Sequence, residues 1–480
     1  MPYKDLREFI EKIDNSGELQ QIDAANWNLE IGGITEVSAT LNPGPALLFD
    51  NIRDYPRGFR VFTNSLNSIK RDAIALGLPT DLSALGTLRA WKDRIGAFTK
   101  IRPVHRSDSP LLENSMKDES LDIYKFPVPH WHKKDGGRYI GTGSLVIMQD
   151  PESEWVNASV YRVQVHRKNL LTVFFEHPGR HGAIIAKKYW DKGKSCPVAI
   201  VCGEDPSLFI SGWEYLPASY SEYEFAGSIK QQPIDVFDGP STGLPVPAQA
   251  EILIEGEMPP IDRESLIEGP FGEYTGYYGS GPAAAPVVKI NSICYRNDPI
   301  LLGAPPLRPP YGITGLPMGA ATLWNNLERN GVTDVVGVWQ YGLHLITVVS
   351  LKQRYSGHAK RAGLIAAGNS LIGRIVILVD EDIDPSNMDD VIWALGTRFE
   401  PASSLDIIKN GWSSSLDPRI SPESKAKGDF SNSKVIIDAC KPFPWIDKFP
   451  TSTQISPEYR KEIEKRWGHI IFGSTNPKTE

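Results

Sequence analysis

The sequence predicts a three-part α/β and β protein: an N-terminal α/β domain, a central antiparallel β-barrel, and a C-terminal α/β domain that ends in a helix. Three observations predict it. Helix and strand patterns alternate up to about residue 110, successive strand patterns fill the middle, and alternation returns from about residue 318. At 480 residues the chain exceeds what one hydrophobic core supports. The divisions read as 1–115, 116–310 and 311–450, with 451–480 as terminal helix and tail.

Residues 3–20 carry Leu6, Phe9, Ile10 and Ile13 at helical spacing. A second helical stretch near 30–41 meets Asn-Pro-Gly-Pro, which breaks it. Strands over 46–52 and 60–64 and helices over 68–77 and 86–98 complete the first unit. The proline-spaced segment 124–132 is extended and leads onward. The middle unit reads as strands over 144–148, 156–165, 169–175, 198–202, 248–256 and 287–296, interrupted by helices over 181–191 and 221–231. In the third unit a helix ends at Gly331, buried-type strands cover 345–351 and 374–380, and a helix covers 388–396. Ser456 and Pro457 open a charged terminal helix.

Composition excludes several functions. A net charge of −7 opposes a nucleic-acid or membrane surface as partner. No apolar run reaches the length of a bilayer span, and the charged start Met-Pro-Tyr-Lys-Asp-Leu-Arg lacks a signal-peptide core. Four scattered cysteines fit reduced thiols and no zinc site. A cytoplasmic location is the expectation. There is no P-loop, no G-x-S-x-G elbow and no H-E-x-x-H, and Gly141-Thr-Gly-Ser is only part of a dinucleotide fingerprint.

The stretch with the strongest claim on chemistry is Glu268-Gly-Pro-Phe-Gly-Glu273-Tyr-Thr-Gly-Tyr-Tyr-Gly279. Pro270, Gly269 and Gly272 bend the backbone tightly, and a rigid loop with two carboxylates suits acid–base work. By itself it is better read as a surface turn with two solvated glutamates. In Asn157-Ala-Ser-Val-Tyr-Arg162, strand alternation puts Asn157, Ser159 and Tyr161 on one face and Arg162 on the other, unless a bulge re-aims one. Arg162 reads either as a carboxylate clamp or as a solvated strand arginine.

Asn157, His181 and Glu222 form a mixed N/O set suited to Mn²⁺ or Mg²⁺. They lie on separate elements, and the same residues are also a ladder-capping Asn, a loop His and a first-turn Glu. Lys360 reads as a phosphate contact or as part of a solvated basic loop over 357–363. The acidic run Val379-Asp-Glu-Asp-Ile-Asp-Pro lacks the glycine and final glutamate of an EF-hand, so capping of a strand end explains it better.

Four stretches resemble, in their order along the chain, the UbiD family of decarboxylases, which use prenylated FMN: Asn157-x-Ser-x-x-Arg162, Ser221-Glu-Tyr-Glu-Phe-Ala-Gly, the 268–279 motif and the 379–385 run. The resemblance covers nearly the whole chain and implies a split barrel related to flavin reductases in the middle. It implies a catalytic trio of Arg162, Glu268 and Glu273, in which Arg162 holds the substrate carboxylate, Glu268 pairs with it, and Glu273 supplies the proton that replaces CO₂. It implies metal ligands Asn157, His181 and Glu222 for Mn²⁺ (or Mg²⁺) against the cofactor phosphate, with K⁺ nearby. Flavin contacts fall on Ser159, Val160, Tyr161, Arg162 and Arg180, and a phosphate contact on Lys360.

The implied function is reversible, non-oxidative decarboxylation of an aromatic, heteroaromatic or α,β-unsaturated carboxylic acid. Loss of CO₂ from an sp² carbon leaves an unstabilised carbanion, so a cofactor must accept the electrons. The implied partners are the small-molecule acid, a flavin prenyltransferase that supplies the cofactor, and further copies in a homodimer or homohexamer. An FMN-dependent reductase on the same barrel and a subunit of a larger carboxylase complex are the competing readings. The loop 304–319, rich in proline and glycine, reads as a substrate-shaping loop or an interdomain linker.

Overall fold

The computed structural model describes residues 3–41, 43–214, 216–218, 220–308 and 314–472. Its first helix, Leu6–Asn15, starts where the Asp5 side chain accepts from the Glu8 amide, and it buries Leu6, Phe9, Ile10 and Ile13. It ends well before the expected residue 20. Gly17, at φ 73°, turns the chain into the strand Leu19–Asp23. That strand joins Ala46–Asp50, Arg60–Thr63 and Ile300–Gly303 in a four-stranded sheet. Ile300–Gly303 belongs by sequence to the barrel segment, yet it pairs in parallel with Arg60–Thr63 and ties the two units together. Ser68 and Ser83 cap the helices Ile69–Leu76 and Ala84–Gly96.

The central sheet has ten strands, barrel-like and antiparallel. Its path runs Arg138–Gly141, Arg162–Arg167, Leu170–Phe174, Ala283–Tyr295, Ile252–Met258, Cys196–Cys202, Ser144–Gln149 and Val156–Val160. Asn114–Lys117 and Ser265–Glu268 also pair with Ala283–Tyr295. Both faces are buried, which is why these strands read as continuous apolar runs. Val146, Val198, Ile200 and Ile254 face one core, while Leu145, Ile147, Val201 and Leu253 face another.

The expected single strand over 156–165 is two strands. Val156–Val160 pairs with Ser144–Gln149, whereas Arg162–Arg167 pairs with Leu170–Phe174 and Arg138–Gly141. The chain changes neighbours at Tyr161, and this corner re-aims Arg162 relative to Asn157 and Ser159. The expected helices at 181 and 221 are His181–Trp190 and Glu222–Lys230. A third, Pro206–Trp213, was not anticipated, although Asp205 caps it and Pro206 opens it.

The C-terminal sheet is ordered Val335–Tyr341, Ile346–Leu351, Ile375–Asp380, Ser431–Asp438, Leu405–Trp412, with the inner three parallel and both edges antiparallel. The last two strands escaped the sequence reading because much of each lies open to solvent and carries little apolar periodicity. Residues 357–363, read as a loop, open the helix His358–Gly368. At the end of Ile375–Asp380, Asp380 accepts from Gln353, Arg398 and the Lys441 amide, so the acidic run caps a strand end. The terminal helix Pro457–Ile471 is capped by Ser456 as expected. Residues 309–313 of the 304–319 loop lie outside the described residues. Among the described residues no helix is long and apolar enough to cross a membrane.

Candidate active site

The 268–279 loop leaves the strand Ser265–Glu268 and passes through a cis Gly269–Pro270 peptide, bent as Gly-Pro-Phe-Gly requires. The Gln164 side chain accepts from the Gly269 amide (3.0 Å), and Asp135 accepts from the Tyr278 hydroxyl (3.0 Å). These contacts hold Glu268 and Glu273 on either side of Arg162. Arg162 meets Glu268 side-on with two bonds, Nε to Oε1 (2.9 Å) and Nη2 to Oε2 (2.6 Å). Its third nitrogen, Nη1, donates to Glu273 Oε1. The Tyr139 hydroxyl donates to Glu268 Oε1 (2.9 Å), and the Ser280 hydroxyl donates to Glu273 Oε1 (2.7 Å). The guanidinium lies 3.7 Å from the Phe174 ring centre, so its plane is fixed from below.

Burial sets the electrostatics. Glu268 is fully buried and Glu273 is 6 % exposed. Desolvation pushes the Glu273 carboxyl above its ordinary range, a rise the Arg162 charge only partly opposes. Burial pulls Arg162 down, yet Glu273 and Glu268 outweigh it and hold the guanidinium above its ordinary value. Burial and the Glu268 charge push the Tyr139 phenol up, so it stays a donor. One cation therefore faces two carboxylates, one gripped in full and one pushed toward its protonated form.

A second cluster lies on Val156–Val160 and at the start of Glu222–Lys230. Glu222 Oε1 accepts from Asn157 Nδ2 (2.8 Å) and the Ser159 hydroxyl (3.2 Å), and Oε2 accepts from the Ala158 amide (2.9 Å). Asn157 is fully buried, and its Oδ1 takes part in no hydrogen bond among the described residues. An orphaned buried carbonyl oxygen beside a buried carboxylate is what a bound divalent cation would satisfy. Burial raises the Glu222 carboxyl despite its donors, which again invites a cation. His181 opens its helix with its ring 4.9 Å from that of Trp155, whose indole N–H donates to the Tyr220 carbonyl (3.1 Å) just before Glu222. Burial and Arg180 lower His181, leaving its ring neutral and able to ligate.

Three family models match the chain: the 3-octaprenyl-4-hydroxybenzoate carboxy-lyase N-terminal domain over residues 10–89, its Rift-related domain over 102–309, and its C-terminal domain over 313–439. The chain belongs to the UbiD family of carboxy-lyases. Within that family it is 32 % identical to a phenolic acid decarboxylase of Streptomyces sp. (strain D7), over 92 % of this chain and 93 % of that protein. It is 30 % identical to a pyrrole-2-carboxylic acid decarboxylase of Pseudomonas aeruginosa, over 98 % of each. Among solved structures it superposes on the UbiD-class enzyme HmfF from Pelotomaculum thermopropionicum in complex with FMN. That match has a TM-score of 0.84 and 26 % identity, and it covers 95 % of this chain and 98 % of HmfF.

In this UbiD chain the structure brings Arg162, Glu268 and Glu273 into contact, and joins Asn157 and Ser159 to Glu222. Tyr161, between them in sequence, packs on the start of the His181 helix: its hydroxyl accepts from the Gly182 amide (3.0 Å) and its ring lies 5.3 Å from the Arg180 guanidinium. Val160 is buried beside them. Among the described residues no hydrogen bond joins His181 to Asn157 or Glu222. Lys360 stands apart: its ammonium pairs with Asp406 (2.8 Å) on the C-terminal sheet, and among the described residues no ion pair connects it to the Glu222 cluster. Tyr139, Gln164, Phe174 and Ser280 were missed by sequence reasoning. Ser280 adjoins the motif and could have been included, whereas the other three carry no local signal.

Proposed function

We propose that this carboxy-lyase removes CO₂ reversibly, without net oxidation, from an aromatic, heteroaromatic or α,β-unsaturated carboxylic acid, with prenylated FMN as its flavin. The observation that carries the residue roles is the division of Arg162 between Glu268 and Glu273. Glu268, gripped by two arginine nitrogens and Tyr139, keeps the guanidinium in place. The Nη1 edge now facing Glu273 is the one a substrate carboxylate takes. Glu273, released toward the reacting carbon and held above its ordinary range by burial, delivers its proton there. When bound, the prenylated flavin supplies the electron sink that the departing CO₂ requires.

Asn157, His181 and Glu222 would hold Mn²⁺ or Mg²⁺, with K⁺ beside it, to neutralise the flavin phosphate. The unpaired Asn157 oxygen supports that reading. Ser159, Val160, Tyr161 and Arg180 would line the flavin site. Exposed Ile407 and Trp412 on the C-terminal edge strand support a homodimer or homohexamer.

The test is expression alongside a flavin prenyltransferase, followed by CO₂-release assays over a panel of aromatic acids. Glu273→Gln should keep its flavin and lose roughly 10²–10⁴-fold in turnover. A near wild-type rate would remove Glu273 from the role of proton donor.

A further inference from the structure

The loop that carries Glu273 is gripped from outside by the C-terminal domain. Lys425, in the short helix Pro422–Ala426, donates from Nζ to the Gly279 carbonyl. The Leu416 carbonyl approaches Gly279 so closely that a Cβ there would stand 2.4 Å from it, a position only glycine tolerates. His344, at the tip of the Val335–Tyr341/Ile346–Leu351 hairpin, sets its ring 5.4 Å from that of Tyr274. The segment presenting Leu416 is itself braced. Asp417 accepts from the Ser413 hydroxyl (2.7 Å) and the Asn432 amide (3.0 Å) and pairs with Arg374, while Ser414 donates across to Glu176 of the barrel.

These grips act one residue from the chemistry. Gly279 precedes Ser280, whose hydroxyl donates to Glu273 Oε1 (2.7 Å) and accepts from Arg162 Nη1 (3.4 Å). A shift of the Gly279 carbonyl therefore shifts the group that orients Glu273. We propose that Lys425 is a positioning residue for the decarboxylation: its ammonium pins the Gly279 carbonyl and so holds the Ser280 hydroxyl where it aligns Glu273 with Arg162. Lys425 is half-buried. Burial lowers its affinity for a proton, while the charges of Asp417 and Glu273 raise it, which puts the ammonium within electrostatic reach of the catalytic carboxyl. The kinetic consequence rests on the decarboxylase reading; the structural consequence does not.

The experiment compares Lys425→Met, which keeps the aliphatic stem, with Lys425→Arg, which keeps a cationic donor, in the full flavin-loaded chain. Displacing a catalytic group by about 1 Å costs on the order of 10²-fold, so Lys425→Met should lower kcat roughly 10- to 100-fold with little change in KM. Lys425→Arg should recover most of that loss. Amide hydrogen exchange over residues 273–280 should quicken in Lys425→Met without a fall in Tm, a readout that needs no turnover. Gly279→Ala, which forces the loop off Leu416 from its other side, should reproduce both effects. Unchanged exchange and kcat in Lys425→Met, a change confined to KM, or an arginine variant no better than methionine would each overturn the proposal. If the wild-type chain releases CO₂ from no acid in the panel, the decarboxylase reading falls, while the exchange comparison still decides the Lys425 contact.

Discussion

Glu268→Gln is the sharpest perturbation of the trio, because it changes one charge and almost no volume. In the wild-type chain the Glu268 carboxylate, fully buried, takes two arginine N–H groups and the Tyr139 hydroxyl. A glutamine offers one oxygen, so its NH₂ must face an arginine nitrogen whichever way the amide is turned. Breaking a buried ion pair costs about 3–5 kcal/mol, and Glu273 remains as counter-charge, which favours the lower end, about 3 kcal/mol. Expressed in the transition state, about 3 kcal/mol is roughly a 10²-fold loss in kcat/KM.

The pH profile should move as well. Glu273 must carry its proton in order to deliver it, so the active form exists below its raised value and is lost as pH rises through that value. The Glu268 charge is one of the influences that hold Glu273 up. Its removal lowers Glu273, and the alkaline limb of kcat should shift to lower pH. The assay is steady-state CO₂ release between about pH 5 and 9, with flavin content measured in each sample. A rate within about threefold of wild type, or an alkaline limb that moves upward, would refute this account of the pair.

Two further outcomes follow from the same contacts. Tyr139→Phe removes a hydrogen bond to a charged acceptor, worth about 1.5–3 kcal/mol, and should lower kcat/KM roughly 10- to 100-fold; in the Glu268→Gln background its effect should shrink, because the charge it supports is gone. Asn157→Ala deletes the unpaired oxygen beside Glu222 together with the Nδ2 donor to that carboxylate, and should weaken retention of divalent metal and flavin about 10- to 100-fold, measured by metal analysis and flavin absorbance after dialysis, with a fall in Tm from the lost buried hydrogen bond.

Much of this chain was determined by sequence alone, because the signals are local. Ser68, Ser83, Ser221 and Ser456 cap helices where their short polar side chains meet a free amide, and continuous apolar runs mark the barrel strands. The bend at Gly269-Pro270 follows from the residues themselves. The candidate chemistry was visible as residue types: two glutamates flanking a rigid corner, an arginine on a strand, an Asn and a Glu able to ligate.

Tertiary structure decided what those residues do. Alternation along one strand would have pointed Arg162 away from Asn157 without saying toward what; the change of strand partners at Tyr161 delivers it to the 268–279 loop. Tyr139 and Phe174 reach the trio from strands next to that of Arg162 in the same sheet, and Lys425 reaches the Gly279 carbonyl from a helix of the C-terminal domain; which side chains meet there depends on strand register and domain packing, which no local pattern encodes. The same closure buries both glutamates, and their donors separate them: Glu268 takes two arginine nitrogens and the Tyr139 hydroxyl, Glu273 one arginine nitrogen and the Ser280 hydroxyl. Sequence carried the identities of the two glutamates; the dielectric and the partner each one meets depend on chain segments more than a hundred residues away, such as Arg162 at a separation of 106 from Glu268.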